Sequence, residues 1–296
     1  NNSVSGNGGV TMSAGRFRLS KVATTLPELD GISTPYALTG GTIELYGTSS
    51  VQTHSLRGTY NSGASNINYY NVDLNSLGAN VSPTEANVVA SANFGVQGVM
   101  TVNSPTCFKL PSNTTISDAG ATSTFTLAAG STLKYGGAID ASGATGNIRT
   151  DVRNFNTTAS YGFVGTVTPQ AVGSGLPASM VNMYLDKDAG TQVVTLAGNV
   201  TITNELNLGT GILDAVSNTV SVSNTALVGV AGGSTNSFVS GKLNRSLPSS
   251  LASGTTYSFP VGKQSPITYL PALLLDATTG AGATSDTGEA FNTGSR

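Results

Sequence analysis

The chain has 296 residues and a formal net charge of −2, and only 9% of its residues are charged, against about 25% in an average soluble domain. Its 13 Lys and Arg and 15 Asp and Glu are scattered singly, so it lacks the basic stripe that a phosphate backbone requires, and nucleic acid is not an expected partner. No uninterrupted apolar run approaches the roughly 20 residues of a membrane-spanning helix, and no membrane insertion is expected.

Read from its beginning, the chain is a succession of short alternating segments bounded by Gly, Asn, Ser or Pro, the pattern of half-buried strands and tight turns. Val10-Thr11-Met12, Phe17-Arg18-Leu19 and Thr42-Ile43-Glu44-Leu45-Tyr46 come first. Val99-Met100-Thr101-Val102 and Thr124-Phe125-Thr126-Leu127 follow in the middle. Each places apolar side chains on one face and Thr, Ser, Asn or charge on the other. Between them the single Cys107 forbids an internal disulfide, and its apolar flank reads as buried filler. Residues 149–178 mix aromatic, charged, Gly and Pro content and read as an insertion or an irregular coil.

Alternation resumes in Val200-Thr201-Ile202, Leu206-Asn207-Leu208 and Val220-Ser221-Val222. From Val193 to Val222 the strand-like pieces recur too tightly for sandwich strands, whereas a coil of about 20 to 25 residues built from two or three short strands accommodates them. The expectation is therefore an all-β chain: a right-handed parallel β-helix, or β-solenoid, over residues 1–256, with β-sandwich repeats as the alternative. Residues 257–276 read as an end-capping β segment and 277–296 as a linker or irregular tail.

Two sequence matches support repetition. Tyr70-Asn71-Val72-Asp73-Leu74-Asn75 is echoed by Val181-Asn182-Met183-Tyr184-Leu185-Asp186, and Gly41-Thr42-Ile43-Glu44-Leu45-Tyr46-Gly47 by Gly130-Ser131-Thr132-Leu133-Lys134-Tyr135-Gly136. Asn71 and Asn182 are expected at coil corners or in ladders, since Asn tolerates left-handed backbone and bonds its neighbours' backbone.

Candidate chemistry is sparse. Arg149-Thr150-Asp151-Val152-Arg153 puts Arg149, Asp151 and Arg153 at i, i+2 and i+4, one face if a single strand runs through them. An exposed ion ladder accounts for that pattern as well as a binding or lyase-type site does. Tyr69 and Tyr70 must point to opposite faces, so one of them is expected to be exposed; with Tyr161, Phe163, Tyr257 and Phe259 they could form a carbohydrate platform, although alternating aromatics in a coil more often stack in the interior. Asp186-Lys187-Asp188-Ala189-Gly190 is a faint echo of a calcium loop that lacks the later bidentate Glu, and reads as a turn. His54 has no Gly-x-Ser-x-Gly elbow to serve and reads as a surface histidine. No catalytic residue, metal site or cofactor is assigned, and the chain is not expected to be an enzyme. A carbohydrate-active β-helix enzyme, either a polysaccharide lyase or a hydrolase, is the alternative.

Gly40 to Gly47, Leu56-Arg57-Gly58, Tyr69-Tyr70-Asn71-Val72, and Phe259-Pro260-Val261-Gly262-Lys263 with Tyr269-Leu270-Pro271 together resemble a class of very large exported surface proteins of Bacteroidota. These carry β-helical repeats, leave the cell by type IX secretion and include gliding-type adhesins. The resemblance implies an extracellular location at the bacterial cell surface and a structural or adhesive role. It implies surface glycans, other cell-surface proteins or the type IX machinery as partners, and no catalytic residues. Leu270 stands where the class would place Arg, and neither an export signal nor a C-terminal sorting domain is visible, which suggests a piece of a longer polypeptide.

Overall fold

The computed structural model describes residues 9–20, 26, 36–47, 54–60, 65–76, 87–142, 145–248, 254–275 and 286–290. It is 59% strand, with stacked parallel coils forming about 8 turns of β-solenoid. The chain divides into two compact units, Asn1–Lys134 with Ile139–Asn156 and Tyr135–Ala138 with Thr157–Arg296.

In the first unit the coils from Thr42 onward have three sides. Six parallel strands form the longest side: Arg16–Leu19, Thr42–Gly47, Asn71–Ser76, Val99–Val102, Thr124–Leu127 and Val152–Phe155. A second side stacks Asn68–Tyr69, Phe94–Val96, Ile116–Asp118 and Ile148–Arg149, and the third begins with His54–Leu56, Val88–Ala90 and Cys107–Leu110. Ile43 pairs with Val72, Val72 with Met100, Met100 with Phe125 and Phe125 with Arg153, offsets of 29, 28, 25 and 28 residues. These coils are longer than the sequence rhythm suggested, because the short second side adds residues that do not read as a strand on their own.

Period-2 alternation supplies the core. Val72, Leu74, Met100, Val102 and Phe125 are all fully buried, while their neighbours Asp73, Thr101, Thr124 and Thr126 face outward and are only part-buried. Tyr69 meets Phe94 of the next coil edge to face, with ring centroids 5.8 Å apart, and Phe125 meets Phe155 at 6.0 Å. Each coil thus roofs the one before it, at about 25 cal/mol per Å² of apolar surface covered.

The second unit stacks Ser160–Gly165, Ser179–Lys187, Val200–Val222, Ser237–Leu247 and Val261–Gln264. The 23-residue strand Val200–Val222 turns a corner and so lies on two sides. Its first half pairs with Ser179–Lys187, and its second half with Val193–Thr195 and Ser237–Leu247. Gly211 sits at the join with φ +109°, and a Cβ there would lie 2.6 Å from Cγ of Lys187, so the site needs both glycine's backbone freedom and its lack of a side chain. At the end of this unit pairing becomes antiparallel: Thr256–Phe259 with Ala272–Leu275, and Val261–Gln264 with Ile267–Tyr269. That is the region read from sequence as the end cap.

Three readings change. Residues 149–178 are not an irregular insertion, because Ile148–Arg149, Val152–Phe155 and Ser160–Gly165 continue the parallel ladders. Backbone pairing overrides their mixed composition. Within 277–296, residues Asp286–Ala290 pair antiparallel with Ser237–Leu247 rather than forming an irregular tail, and the rest of that stretch lies outside the described residues. Thr42–Gly47 and Thr132–Tyr135, matched in sequence, occupy different sides of the coil, so that likeness reflects strand chemistry rather than coil position.

The register separates neighbouring residues sharply. Phe125→Ala is expected to cost about 3–5 kcal/mol, and Thr124→Ala about 1 kcal/mol or less. Urea midpoints of the two variants check this, and equal losses would contradict the assigned inward and outward rows.

Candidate functional site

The sequence candidates do not assemble. Arg149 ends one strand and Arg153 lies in the next side's strand, Val152–Phe155, with the chain bending at Asp151. Arg149 and Asp151 are exposed, whereas Arg153 takes the row of buried Phe125. Each is tied locally. Arg149 Nε donates to the Gly146 carbonyl at 3.0 Å, Asp151 Oδ2 accepts from the Ser123 N–H at 2.9 Å, and Arg153 donates to the Ala141 carbonyl at 2.6 Å. The shared face fails because a coil corner, not a continuous strand, runs through these residues.

Tyr69 is fully buried and its hydroxyl donates to the Arg57 carbonyl at 2.5 Å, while Tyr70 is 38% exposed. The opposite-face reading therefore leaves Tyr70 alone at the surface. Tyr161, Phe163, Tyr257 and Phe259 are buried in the second unit and form core rather than a platform. Cys107 is 4% exposed, and burial pushes its thiol up to about 11.

His54 corrects the surface reading: it is 2% exposed and stacks in register with Val88. In Thr53-His54-Ser55-Leu56, His54 and Leu56 share a face, and that face is inward. Its Nδ1 finds no hydrogen-bond partner among the described residues, and burial lowers its pKa below 6.5.

The Asn residues do structural work. The Asn71 side-chain oxygen accepts from the Val99 N–H, Asn87 from Cys107, and Asn93 from Thr115, each at 2.8 Å and each one coil away. In the second unit Asn199 does the same for Thr219 at 2.8 Å. Asn204 donates to Asn182 at 2.7 Å and Asn224 to the Asn204 carbonyl at 2.9 Å, so Asn182 heads a ladder.

The sequence reading missed three polar groupings. On the outward side of the first unit, Arg16 and Arg18 bracket Glu44 at 3.1 and 2.9 Å, and Arg16 reaches Asp73 at 2.6 Å. Asn75 donates to Glu44 at 2.9 Å and Arg18 lies 4.1 Å over the Tyr46 ring. Burial pushes the Glu44 carboxyl up, but hydrogen bonds from Asn75, Arg18 and Arg16 outweigh it and hold the group below its usual value. Strand register alone brings these residues together, since Arg18, Glu44 and Asp73 are opposite one another across three coils.

In the second unit the buried Lys187 ammonium donates to the Val164 carbonyl at 2.9 Å and to Gln170 Oε1 at 2.7 Å, and burial lowers its pKa to about 8. The turn after it closes through Gln192 Oε1, which accepts from the Ala189 N–H at 3.0 Å. The calcium-loop echo is thus a turn whose lysine points inward.

The third grouping is a half-open depression of about 310 Å³ bordered by residues of 172–178 and 197–200, most of them exposed. Leu176, Ala178 and Ala197 give it aliphatic surface and Ser174 and Asn199 polar surface, while Val172 and Val200 border it as buried core residues. Both walls are tied to neighbouring coils: Val172 N–H donates to the Thr195 carbonyl at 3.2 Å, and Thr201 N–H to the Ala178 carbonyl at 2.8 Å. The Tyr135 hydroxyl also donates to the Val172 carbonyl at 3.1 Å.

Comparison with known proteins found no matching family model, curated protein or solved structure.

His54 makes stability depend on pH. The unfolded histidine takes a proton near pH 6.5 and the buried one resists it, so stability is full above that pH and falls as the pH drops below it. The slope is at most about 1.4 kcal/mol per pH unit for this one group. Urea midpoints between pH 7.5 and 5 are expected to fall in the wild type and to fall less steeply in His54→Leu. Parallel curves would exclude this origin.

Proposed function

We propose that the chain is a non-catalytic structural and adhesive module of a bacterial cell-surface protein, working outside the cell. The observation that carries this reading is the commitment of its polar side chains to neighbouring coils. Asn71, Asn87, Asn93 and Asn199 each accept a backbone N–H one coil away, which makes a stiff stack rather than a mobile reaction centre. Outward rows such as Val99, Thr124 and Val152, and Thr101, Thr126 and Asn154, stand in register and present methyl, hydroxyl and amide groups with little charge. Such a surface suits contact with neutral glycans or with other surface proteins, because little desolvation of charge opposes it. Export by the type IX route belongs to the same proposal and rests on the sequence resemblance.

Beads coated with the chain are expected to be retained under flow on glycan-coated surfaces or bacterial cells more strongly than albumin-coated beads. Retention no better than the control would overturn the adhesive role. Release of new reducing ends from a polysaccharide incubated with the chain would favour the hydrolase or lyase alternative.

A further inference from the structure

In the first unit, the strand Arg16–Leu19 ends the six-stranded side. It pairs with Thr42–Gly47 along one edge, and among the described residues no strand pairs with the other. Val10–Met12, in the same coil, likewise pairs only with Tyr36–Leu38 among the described residues. The Thr42 N–H donates to the Gly15 carbonyl at 2.9 Å, and successive residues of a strand direct their backbone groups alternately to its two sides. Phe17 and Leu19 therefore bond toward Thr42–Gly47, while Arg16 and Arg18 present their N–H and C=O groups at the unpaired edge. Such a row is a template for a further strand.

The side chains show what that strand must carry. Phe17 stands in the inward row of Ile43, Val72, Met100 and Phe125. Those four are at most 2% exposed, because each has a coil on both sides, whereas Phe17 is 48% exposed. Leu19, in the neighbouring inward row, is buried, so the uncovered part of the interior is local to Phe17. One apolar side chain over it would close the row, at about 25 cal/mol per Å² removed from water. The outward face adds charge. Arg16 and Arg18 lie half-exposed on the edge strand itself, and the carboxylates they hold, Glu44 and Asp73, lie one and two coils behind them. A strand arriving at the edge meets the cations first, and an acidic side chain opposite Arg18 is favoured there. Two copies of this chain meeting edge to edge would set Arg16 and Arg18 against the same arginines, so the charge selects a different chain.

We propose that the edge Arg16–Leu19 is a docking site for an extended segment of another protein, one that alternates apolar and acidic residues and adds as a further strand, with an apolar side chain over Phe17 and a carboxylate at Arg18. Strand capture here requires only the register of the first unit and is independent of an adhesive role.

Thr42–Gly47 already pairs with Arg16–Leu19 along the inner edge, with Ile43 at Phe17 and Glu44 at Arg18, so a fluorescently labelled peptide copying residues 40–47 is the probe. Anisotropy is expected to show saturable binding to the full chain that weakens as salt rises. A peptide with Lys in place of Glu44, and one with Asn in place of Ile43, are each expected to bind about tenfold more weakly or worse. Phe17→Asp in the protein is expected to abolish binding while moving the urea midpoint little, since this side chain is half-exposed. Should that variant fail to fold, the peptide series on the wild type decides alone. The proposal is overturned if the parent peptide shows no saturable binding, if the Lys or Asn peptide binds equally well, or if folded Phe17→Asp still binds. Self-association of the chain that Phe17→Asp prevents would also overturn it, by giving the edge to a second copy.

Discussion

Register between coils is the constraint on which this structure depends. In a parallel stack each residue sits over its counterpart one coil away, and because side chains alternate with a period of two, a slip of one residue would turn the whole inward row to solvent. Val72, Met100 and Phe125 hold one inward row, and Leu74, Val102 and Leu127 the next. The corner asparagines add a second lock. A side-chain oxygen that accepts a particular N–H in the next coil, as Asn87 does from Cys107, is satisfied in one register only and also saves a buried donor from going unpaired.

The same constraint explains where long cations enter the interior. Where strands turn corners or coils differ in length, the ladder leaves backbone carbonyls without N–H partners. Lys187 answers the Val164 carbonyl. Arg245, 1% exposed, donates to the carbonyls of Ser258, Ala226 and Leu227 and packs 4.7 Å from the Tyr257 ring centroid. Among the described residues neither forms a salt bridge with a carboxylate, though Asp188 acts on Lys187 at longer range. The energetic logic is satisfaction of irregular backbone, at the cost of desolvation that lowers the pKa of both groups. The Glu44 cluster is the converse case: charges on an outward face, brought together by register and partly buried by one another.

The fold spends many of its Asn, Gln and buried cations on its own backbone. The outward Thr and Val rows and Asn71, Asn93 and Asn199 at the coil corners stand at or near the surface. Both lie on backbone whose position is set by neighbouring coils, which is how a rigid scaffold confers geometry on otherwise ordinary side chains.

Local chemistry made the strands legible. Thr124-Phe125-Thr126-Leu127 alternates so cleanly that its inward and outward faces follow from the residues alone, and the turn residues between such segments implied tightly wound coils. The corner or ladder role of Asn71 and Asn182 was readable for the same reason, since it is a property of the residue type. Residues 149–178 were not readable, because their composition is mixed and only pairing with earlier coils makes them strands. Nor was the fate of His54, whose face depends on which side of the coil is closed. The Arg16, Arg18, Glu44 and Asp73 cluster and the Lys187 anchor are made by contacts between residues 17 to 57 positions apart. Periodicity within a segment determines which side chains share a face, but the length of each connecting turn sets which coil positions meet, and that length is fixed only when the stack closes on its core.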